Sequence, residues 1–373
     1  MRNKTLPLLT AALTLALGLS ASFHVIAADS SAPEERPHFL PDGSVAVPAF
    51  TLPPSSYLSE EAVDAMKFRA TLPAVDFSQV PDEPIEVRRA GLERMMAPRV
   101  AAMQQRYPVN IEDTRVADVP VKIITPKEGT REDSRVLINL HGGAFQTCWP
   151  ACALLESIPI AALGGWTVVS VDYRQGPEHV FPAASEDVAA VYRELLGTHQ
   201  PEAIGIFGCS AGGVLTAQAT AWLQQENLPA PGAIGIFGAA AGRIGLGDSA
   251  YTSAYIGAEF PPPRPDGDLL PPSKERGYFD GIDMSDPLVS PVTAPEVLTA
   301  FPPSLIITGT RAMDLSGSVY SHFQMKKHGV DAELIVAEAL GHCYLYDARL
   351  PESLDTFAMI VDFFSRHLGS HNP

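Results

Sequence analysis

Ile204-Gly205-Ile206-Phe207-Gly208-Cys209-Ser210-Ala211-Gly212-Gly213-Val214-Leu215 is an apolar run that climbs to a glycine-flanked serine and continues into a helix-compatible segment. The pattern G-x-S-x-G at such a point reads as strand, sharp turn, helix. The glycines have a steric reason. At a turn this tight, side chains two residues either side of the serine would collide with neighbouring backbone, so only small residues leave Ser210 exposed at the end of its strand. The pattern alone also matches ordinary Gly-rich turns, so its meaning depends on the rest of the chain.

Outward from the turn, strand and helix patterns alternate. Upstream, Ile111–Val116 and Val119–Ile124 read as a hairpin-like pair at a sheet edge. Arg135–Leu140 is a nearly all-apolar strand ending at His141-Gly142-Gly143-Ala144-Phe145, and a helix over Leu154–Leu163 stops at Gly164-Gly165. Trp166–Val171 is the next strand, ending in Asp172-Tyr173-Arg174, and Glu186–Leu196 the next helix. Downstream of the serine come helix Val214–Gln225 and strand Ala233–Phe237. Strand Ser304–Gly309, helix Leu315–His328, strand Ala332–Val336 and helix Ser353–Leu368 then close the chain. This rhythm predicts an α/β fold with a mostly parallel central sheet and helices on both faces. Two regions break it. Residues 240–300 are dense in Gly and Pro and read as a long irregular insertion of lid type. Before residue 110, prolines exclude a long helix ahead of Tyr57. A helix then starts at N-cap Ser59, and a second spans Glu86–Arg106 with Leu92, Met95, Met96, Val100 and Met103 on one face.

A serine nucleophile needs a base, and the base an orienting acid. In open α/β sheets functional groups gather past the carboxyl ends of the strands. Asp314 follows Ser304–Gly309, and His342 follows Ala332–Val336. The order Ser210, Asp314, His342 predicts a catalytic triad. Asp283, Asp286 and Glu338 are alternative acids; the first two lie in the insertion and the third sits close enough to His342 for a local ion pair. Acyl transfer also needs donors for a developing oxyanion, for which the small residues after His141 and the N–H of Ala211 are suited.

Taken together, His141-Gly142-Gly143-Ala144-Phe145, Asp172-Tyr173-Arg174, Pro177-Glu178, Phe181-Pro182-Ala183-Ala184, Gly208-Cys209-Ser210-Ala211-Gly212, Asp286-Pro287-Leu288-Val289-Ser290-Pro291, Asp314 and His342 resemble the bacterial hormone-sensitive-lipase-like esterases, over roughly residues 85–370. The resemblance implies an α/β-hydrolase fold with a helical cap built from the N-terminal helices and an insertion. It implies hydrolysis of carboxylic esters without metal or cofactor, and short- to medium-chain acyl or aryl esters are the expected substrates. It places the oxyanion donors on Gly143, Ala144 and Ala211. Two departures stand out: Ala144 replaces the usual third glycine, and Cys209 precedes the nucleophile.

Cys209 adjoins Ser210 and Cys343 adjoins His342, so a working dyad would bring the two cysteines within disulfide reach. This resembles tannases and feruloyl esterases. The expected pairs are Cys209–Cys343 and Cys148–Cys152, with free thiols as the alternative. C-x3-C with two distant cysteines fits no standard zinc pattern.

Arg2 and Lys4, the apolar stretch Leu6–Leu19 and the small residues around Val25-Ile26-Ala27 read as a secretory signal over residues 1–27. The expected organisation is that signal, an N-terminal segment and cap helices over 28–110, and a hydrolase domain over 111–373 with its insertion at about 240–300. The expected location is secreted or periplasmic. A net charge of −17, or −19 once Arg2 and Lys4 leave with the signal, argues against nucleic acid and anionic membranes as partners. The expected partner is a small-molecule ester, with no stable membrane insertion; a homodimer is one expected assembly. The competing functions are a tannase- or feruloyl-type esterase, a serine peptidase or amidase, and a non-catalytic ligand-binding protein on the same fold.

Overall fold

Among the described residues, eight strands form one sheet, in the spatial order 332–337, 304–309, 233–237, 204–209, 136–140, 167–171, 119–126 and 109–116. The structure is a computed structural model that describes residues 36–72, 83–129, 135–242, 247–257 and 277–369. The signal-like segment 1–27 and part of the 240–300 segment lie outside the described residues. The chain divides into two units, 1–52 and 53–373. Within the first, β1 (His38–Phe39) pairs antiparallel with β2 (Val45–Ala46). All the remaining elements belong to the second.

The antiparallel hairpin β3 (Val109–Val116) and β4 (Val119–Pro126) forms one edge of the sheet. β4 runs antiparallel to β6 (Thr167–Val171). From there β5 (Val136–Leu140), β7 (Ile204–Cys209), β8 (Ala233–Phe237), β9 (Ser304–Gly309) and β10 (Ala332–Ala337) continue in parallel. Every residue of β5, β7, β8 and β9 is buried. Covering both faces of a parallel sheet demands such unbroken apolar strands.

Side chains alternate between two cores. On one face Ile138, Leu140, Ile206, Ile236 and Ile306 pack with Val188, Val191 and Tyr192 of α4 (Ala183–Leu195) and with Leu215 and Leu223 of α5 (Ala211–Gln225). On the other, Leu137, Phe207, Phe237, Leu305 and Ile307 meet Leu155 and Ile158 of α3 (Ala151–Gly164) and Phe357, Ile360 and Phe364 of α9 (Pro351–His367).

The N-terminal helices form as their end signals require. Ser59 caps α1 (Glu60–Arg69) by accepting from the Ala62 N–H at 3.1 Å, and Glu60 and Glu61 face the positive end of the helix dipole. Ser59 also donates to Glu352 of α9 through its backbone N–H, at 2.7 Å, and through its hydroxyl, at 2.9 Å. α2 (Ile85–Arg106) buries Met103, while Leu92, Met96 and Val100 are half-buried. Met95, expected on the same face, is 63% exposed. The helical period placed it on the margin of the apolar stripe, and the packed stripe is narrower.

The described part of the 240–300 segment is less irregular than its composition predicts. α6 (Asp248–Ile256) lies within it and is held by tertiary bonds to the segment around Asp314. The Ser249 hydroxyl donates to the Met313 carbonyl at 2.8 Å, and the Ser249 N–H donates to Ser316 Oγ at 2.9 Å. A short α7 (Pro295–Leu298) follows, and α8 (Leu315–Lys327) begins beside Asp314.

Candidate active site

β7 delivers Ser210 to the carboxyl edge of the sheet. A side chain on Gly208 or Gly212 would bring its Cβ to 2.1 or 1.7 Å from the Leu140 carbonyl oxygen, so both positions require glycine. Ser210 itself sits at φ 59°, ψ −123°, a conformation that costs an L-residue on the order of 1–3 kcal/mol and is held by its surroundings. Its N–H donates to the Phe237 carbonyl of β8 at 2.8 Å. α5 begins at Ala211, earlier than the expected Val214, because Ala211, Gly212 and Gly213 already lie in the helix. The amide of Ala211 therefore stands at the positive end of the helix dipole.

The three sequence-predicted triad residues converge. His342 Nε2 lies 2.9 Å from Ser210 Oγ, and His342 Nδ1 lies 2.7 Å from Asp314 Oδ1. Asp314 is 1% exposed, and its other oxygen accepts from the Thr308 hydroxyl at 2.6 Å. A carboxylate only accepts, so this contact places the imidazole proton on Nδ1 and leaves Nε2 as the acceptor for the serine hydroxyl. The alternative acids are engaged elsewhere. Asp283 accepts from Ser285, Asp286 from the Leu288 N–H, and Glu338 from the Thr310 hydroxyl.

The loop after β5 lies against Ser210: a Cβ on Gly142 would come within 3.3 Å of Ser210 Cβ. Gly143, Ala144 and Phe145 follow one another at φ 118°, 55° and 58°. The Gly143 carbonyl accepts from the N–H groups of Gln146 and Thr147 and from the Thr147 hydroxyl, closing a tight turn. Ala144 holds a left-handed conformation that the glycine of related motifs would adopt without cost. Among the described residues, the amides of Gly143, Ala144 and Ala211 make no bond to a protein acceptor.

His141 is fully buried, and burial pushes its pKa down to about 4, so the ring is neutral. Its Nδ1 lies 2.6 Å from the Gly142 carbonyl, and the ring stacks on Tyr173 at 4.4 Å. The Tyr173 hydroxyl donates to the His141 carbonyl at 2.6 Å. The Asp172-Tyr173-Arg174 segment thus braces the loop, with Arg174 itself anchored to Asp187 and Glu186.

Cys209 and Cys343 are bonded, with Cα atoms 6.5 Å apart, as are Cys148 and Cys152, with Cα atoms 5.4 Å apart. The first bridge joins the residue before Ser210 to the residue after His342.

Sequence reasoning missed several supporting residues. Thr308, on β9, orients the acid. Arg89, on α2, donates to the Gln146 and Gly176 carbonyls at 2.7 and 3.0 Å and pairs with Glu178 at 2.6 Å, tying the N-terminal helix to the loop region. Glu156 is the largest omission. It lies buried on α3 beneath the loop and the elbow, and the available signal was one lone acid within Ala153-Leu154-Leu155-Glu156-Ser157-Ile158.

Among the described residues, no group of three or more His, Cys, Asp and Glu side chains could hold a metal ion, and no helix is long and apolar enough to cross a membrane.

Residues 137–346 match the family described as alpha/beta hydrolase fold. Carboxylesterase NlhH of Mycobacterium tuberculosis is 30% identical over 283 residues, covering 70% of this chain and 82% of that protein. An acetyl-hydrolase of Streptomyces hygroscopicus is 34% identical over 181 residues, covering 48% of this chain and 58% of that protein. The chain spans about half the length of the first curated relatives it matches, 58% and 46% in two of them. Among solved structures, the esterase E25 superposes with a TM-score of 0.72 at 28% identity, covering 87% of this chain and 99% of that one. An esterase from the bacterial hormone-sensitive lipase family gives 0.68 at 27% identity, covering 83% and 99%. The chain belongs to the α/β-hydrolase fold family, and its structural neighbours include an esterase of the bacterial hormone-sensitive lipase family.

Proposed function

We propose that this protein is a serine carboxylesterase acting on carboxylic esters through an acyl-enzyme. The observation that carries the reading is the contact chain Ser210 Oγ–His342 Nε2–His342 Nδ1–Asp314 at 2.9 and 2.7 Å. His342 takes the Ser210 proton as Oγ attacks the ester carbonyl, and Asp314 stabilises the imidazolium that forms. The N–H groups of Gly143, Ala144 and Ala211 receive the developing oxyanion. The imidazolium returns its proton to the leaving alcohol. Water, activated by the same imidazole, then releases the acid and regenerates the serine.

Short- to medium-chain acyl or aryl esters are the proposed substrates, supported by the acetyl-hydrolase and carboxylesterase names of the relatives. The test is a p-nitrophenyl ester series from acetate upward with S210A beside the wild type. S210A should lose at least about 10⁴-fold in kcat; near-wild-type turnover would remove Ser210 from the chemistry. Rates on matched ester and amide substrates separate an esterase from an amidase.

The Cys209–Cys343 bridge favours one narrower reading, a tannase- or feruloyl-type esterase. Gallate and ferulate esters hydrolysed no faster than acetate esters would exclude it. Export to an oxidising compartment completes the proposal, supported by Arg2, Lys4 and the apolar Leu6–Leu19 stretch together with the two disulfides. N-terminal sequencing of protein recovered outside the cytoplasm tests it. A homodimer is the proposed assembly, supported by the exposed apolar residues Val319, Tyr320 and Phe323 on α8 and Val336 on β10, and light scattering in solution decides it.

A further inference from the structure

Glu156 is 3% exposed and projects from α3 into the space beneath the active-site loops. Its Oε1 accepts from the Gly142 N–H at 3.1 Å and from the Tyr346 hydroxyl at 2.5 Å. Its Oε2 accepts from the Cys209 N–H at 3.2 Å and from Asn139 Nδ2 at 2.8 Å. These donors come from three segments that shape the site. Asn139 is the penultimate residue of β5, Gly142 precedes the proposed oxyanion residues, Cys209 precedes Ser210 and Tyr346 lies four residues after His342. Two donors on each oxygen match the capacity of an ionised carboxylate. Backbone N–H groups cannot reverse their role, so an amide at this position meets the Gly142 or the Cys209 N–H head-on, and a protonated carboxyl must turn the Tyr346 hydroxyl or the Asn139 amide from donor to acceptor.

We propose that Glu156 is a positioning residue for the acyl-transfer reaction: as a carboxylate it gathers the oxyanion loop, the nucleophile elbow and the loop after His342 onto one acceptor, and full turnover requires it ionised. The inference rests on the Ser210 esterase reading.

Burial opposes that ionisation and pushes the Glu156 pKa up to about 7, against its four hydrogen bonds. The groups facing it supply no positive charge: Tyr346 and Tyr173 are pushed well above the usual phenol range by burial, and His141 is held neutral. Arg99 of α2 acts on Tyr346, and Asp172, beside Tyr173, is itself pushed up to about 6 by burial. Glu156 therefore exchanges its proton near neutral pH, and each protonation slackens the bonds that align the site.

The test uses the full-length oxidised protein and p-nitrophenyl acetate, with pH profiles of kcat and KM for wild type, S210A, E156Q and Y346F. E156Q should lower kcat about 10- to 100-fold with KM changed less than about 2-fold, since alignment at the oxyanion acts mainly on the transition state. The acidic limb of kcat should be steeper than one proton in wild type and fall to a single proton in E156Q. Y346F, which removes one donor to the ionised form, should move that limb to higher pH while restoring the alkaline plateau. A wild-type kcat and an unchanged limb in E156Q would overturn the proposal. Should E156Q fail to fold by near-UV circular dichroism, Y346F decides: an unmoved limb overturns the proposal and a shifted one supports it. An inactive wild type or an active S210A would instead sink the esterase reading, and the titration of Glu156 would then be read by the infrared carboxyl band that E156Q lacks. Absence of a Glu156 band titrating near neutrality overturns the inference in that case too.

Discussion

The two sides of the active site are held by different forces. On the side of β9 and β10, Asp314 and His342 form a short ion-pair-capable contact, and the Cys209–Cys343 bond ties the histidine loop covalently to the elbow. On the side of β5 and β6, no covalent bond ties the loop after His141 to the elbow or to the His342 loop; hydrogen bonds run to Glu156 from below and to Tyr173 from the side, and the local Cys148–Cys152 bridge closes the loop on itself. The covalent side is expected to respond to reductant. The hydrogen-bonded side is expected to respond to pH, because burial pushes its central acceptor up to about 7. Ser210 stands between them, with its preceding residue bonded to both: Cys209 carries the disulfide through its sulfur and donates to Glu156 through its N–H.

Removing the acid on the covalent side should have the largest effect. D314N preserves shape but offers His342 an amide that can stabilise the wrong tautomer, and kcat should fall about 10⁴-fold. Stopped-flow or steady-state ester hydrolysis reads it, and a loss below about tenfold would mean that another acid serves His342.

Breaking the clasp should come next. C209S or C343S, or treatment with reductant, should destabilise the fold by about 2–5 kcal/mol, because the bridge closes a long loop in the unfolded chain. Denaturant melts check this. The kcat of the folded remainder should drop less than in D314N, since the Asp314 and Thr308 contacts that orient His342 survive. Equal losses in the two variants would mean that the bridge, rather than Asp314, sets the geometry of the histidine.

The smallest effect concerns stability against pH on the hydrogen-bonded side. Glu156 has a folded pKa of about 7, above its ordinary 4.5, so the unfolded chain loses this proton first and the group's contribution falls as pH rises through that window. His141 has a folded pKa of about 4, below its ordinary 6.5, so its contribution rises with pH between those values. The two slopes oppose each other where the windows overlap. E156Q removes the falling one, so its stability should rise more steeply with pH than that of the wild type across the mildly acidic range. Urea melts at several pH values read the slope, and a flatter profile in E156Q would contradict the assignment.

Much of the sheet was legible in the sequence because strands buried on both faces must be apolar throughout. β8 and β9 coincide with their predicted spans, Ala233–Phe237 and Ser304–Gly309. The convergence of Ser210, Asp314 and His342 was readable because each follows a strand end. α6 was not, because the glycines and prolines around it suppress the helical signal and its anchors, Met313 and Ser316, are distant in sequence. Arg89 was unreadable for the same reason: an arginine on an amphipathic helix looks solvated until its carbonyl acceptors fold against it.

Local chemistry by itself determined where the chain must turn sharply, which strands are buried, and which serine, aspartate and histidine stand at strand ends. Glycine spacing and apolar periodicity are properties of neighbouring residues. Tertiary structure alone decided what Glu156 does. Its four donors come from positions 139, 142, 209 and 346, and a carboxylate's role is set by which donors reach it, a fact that exists only after the segments meet.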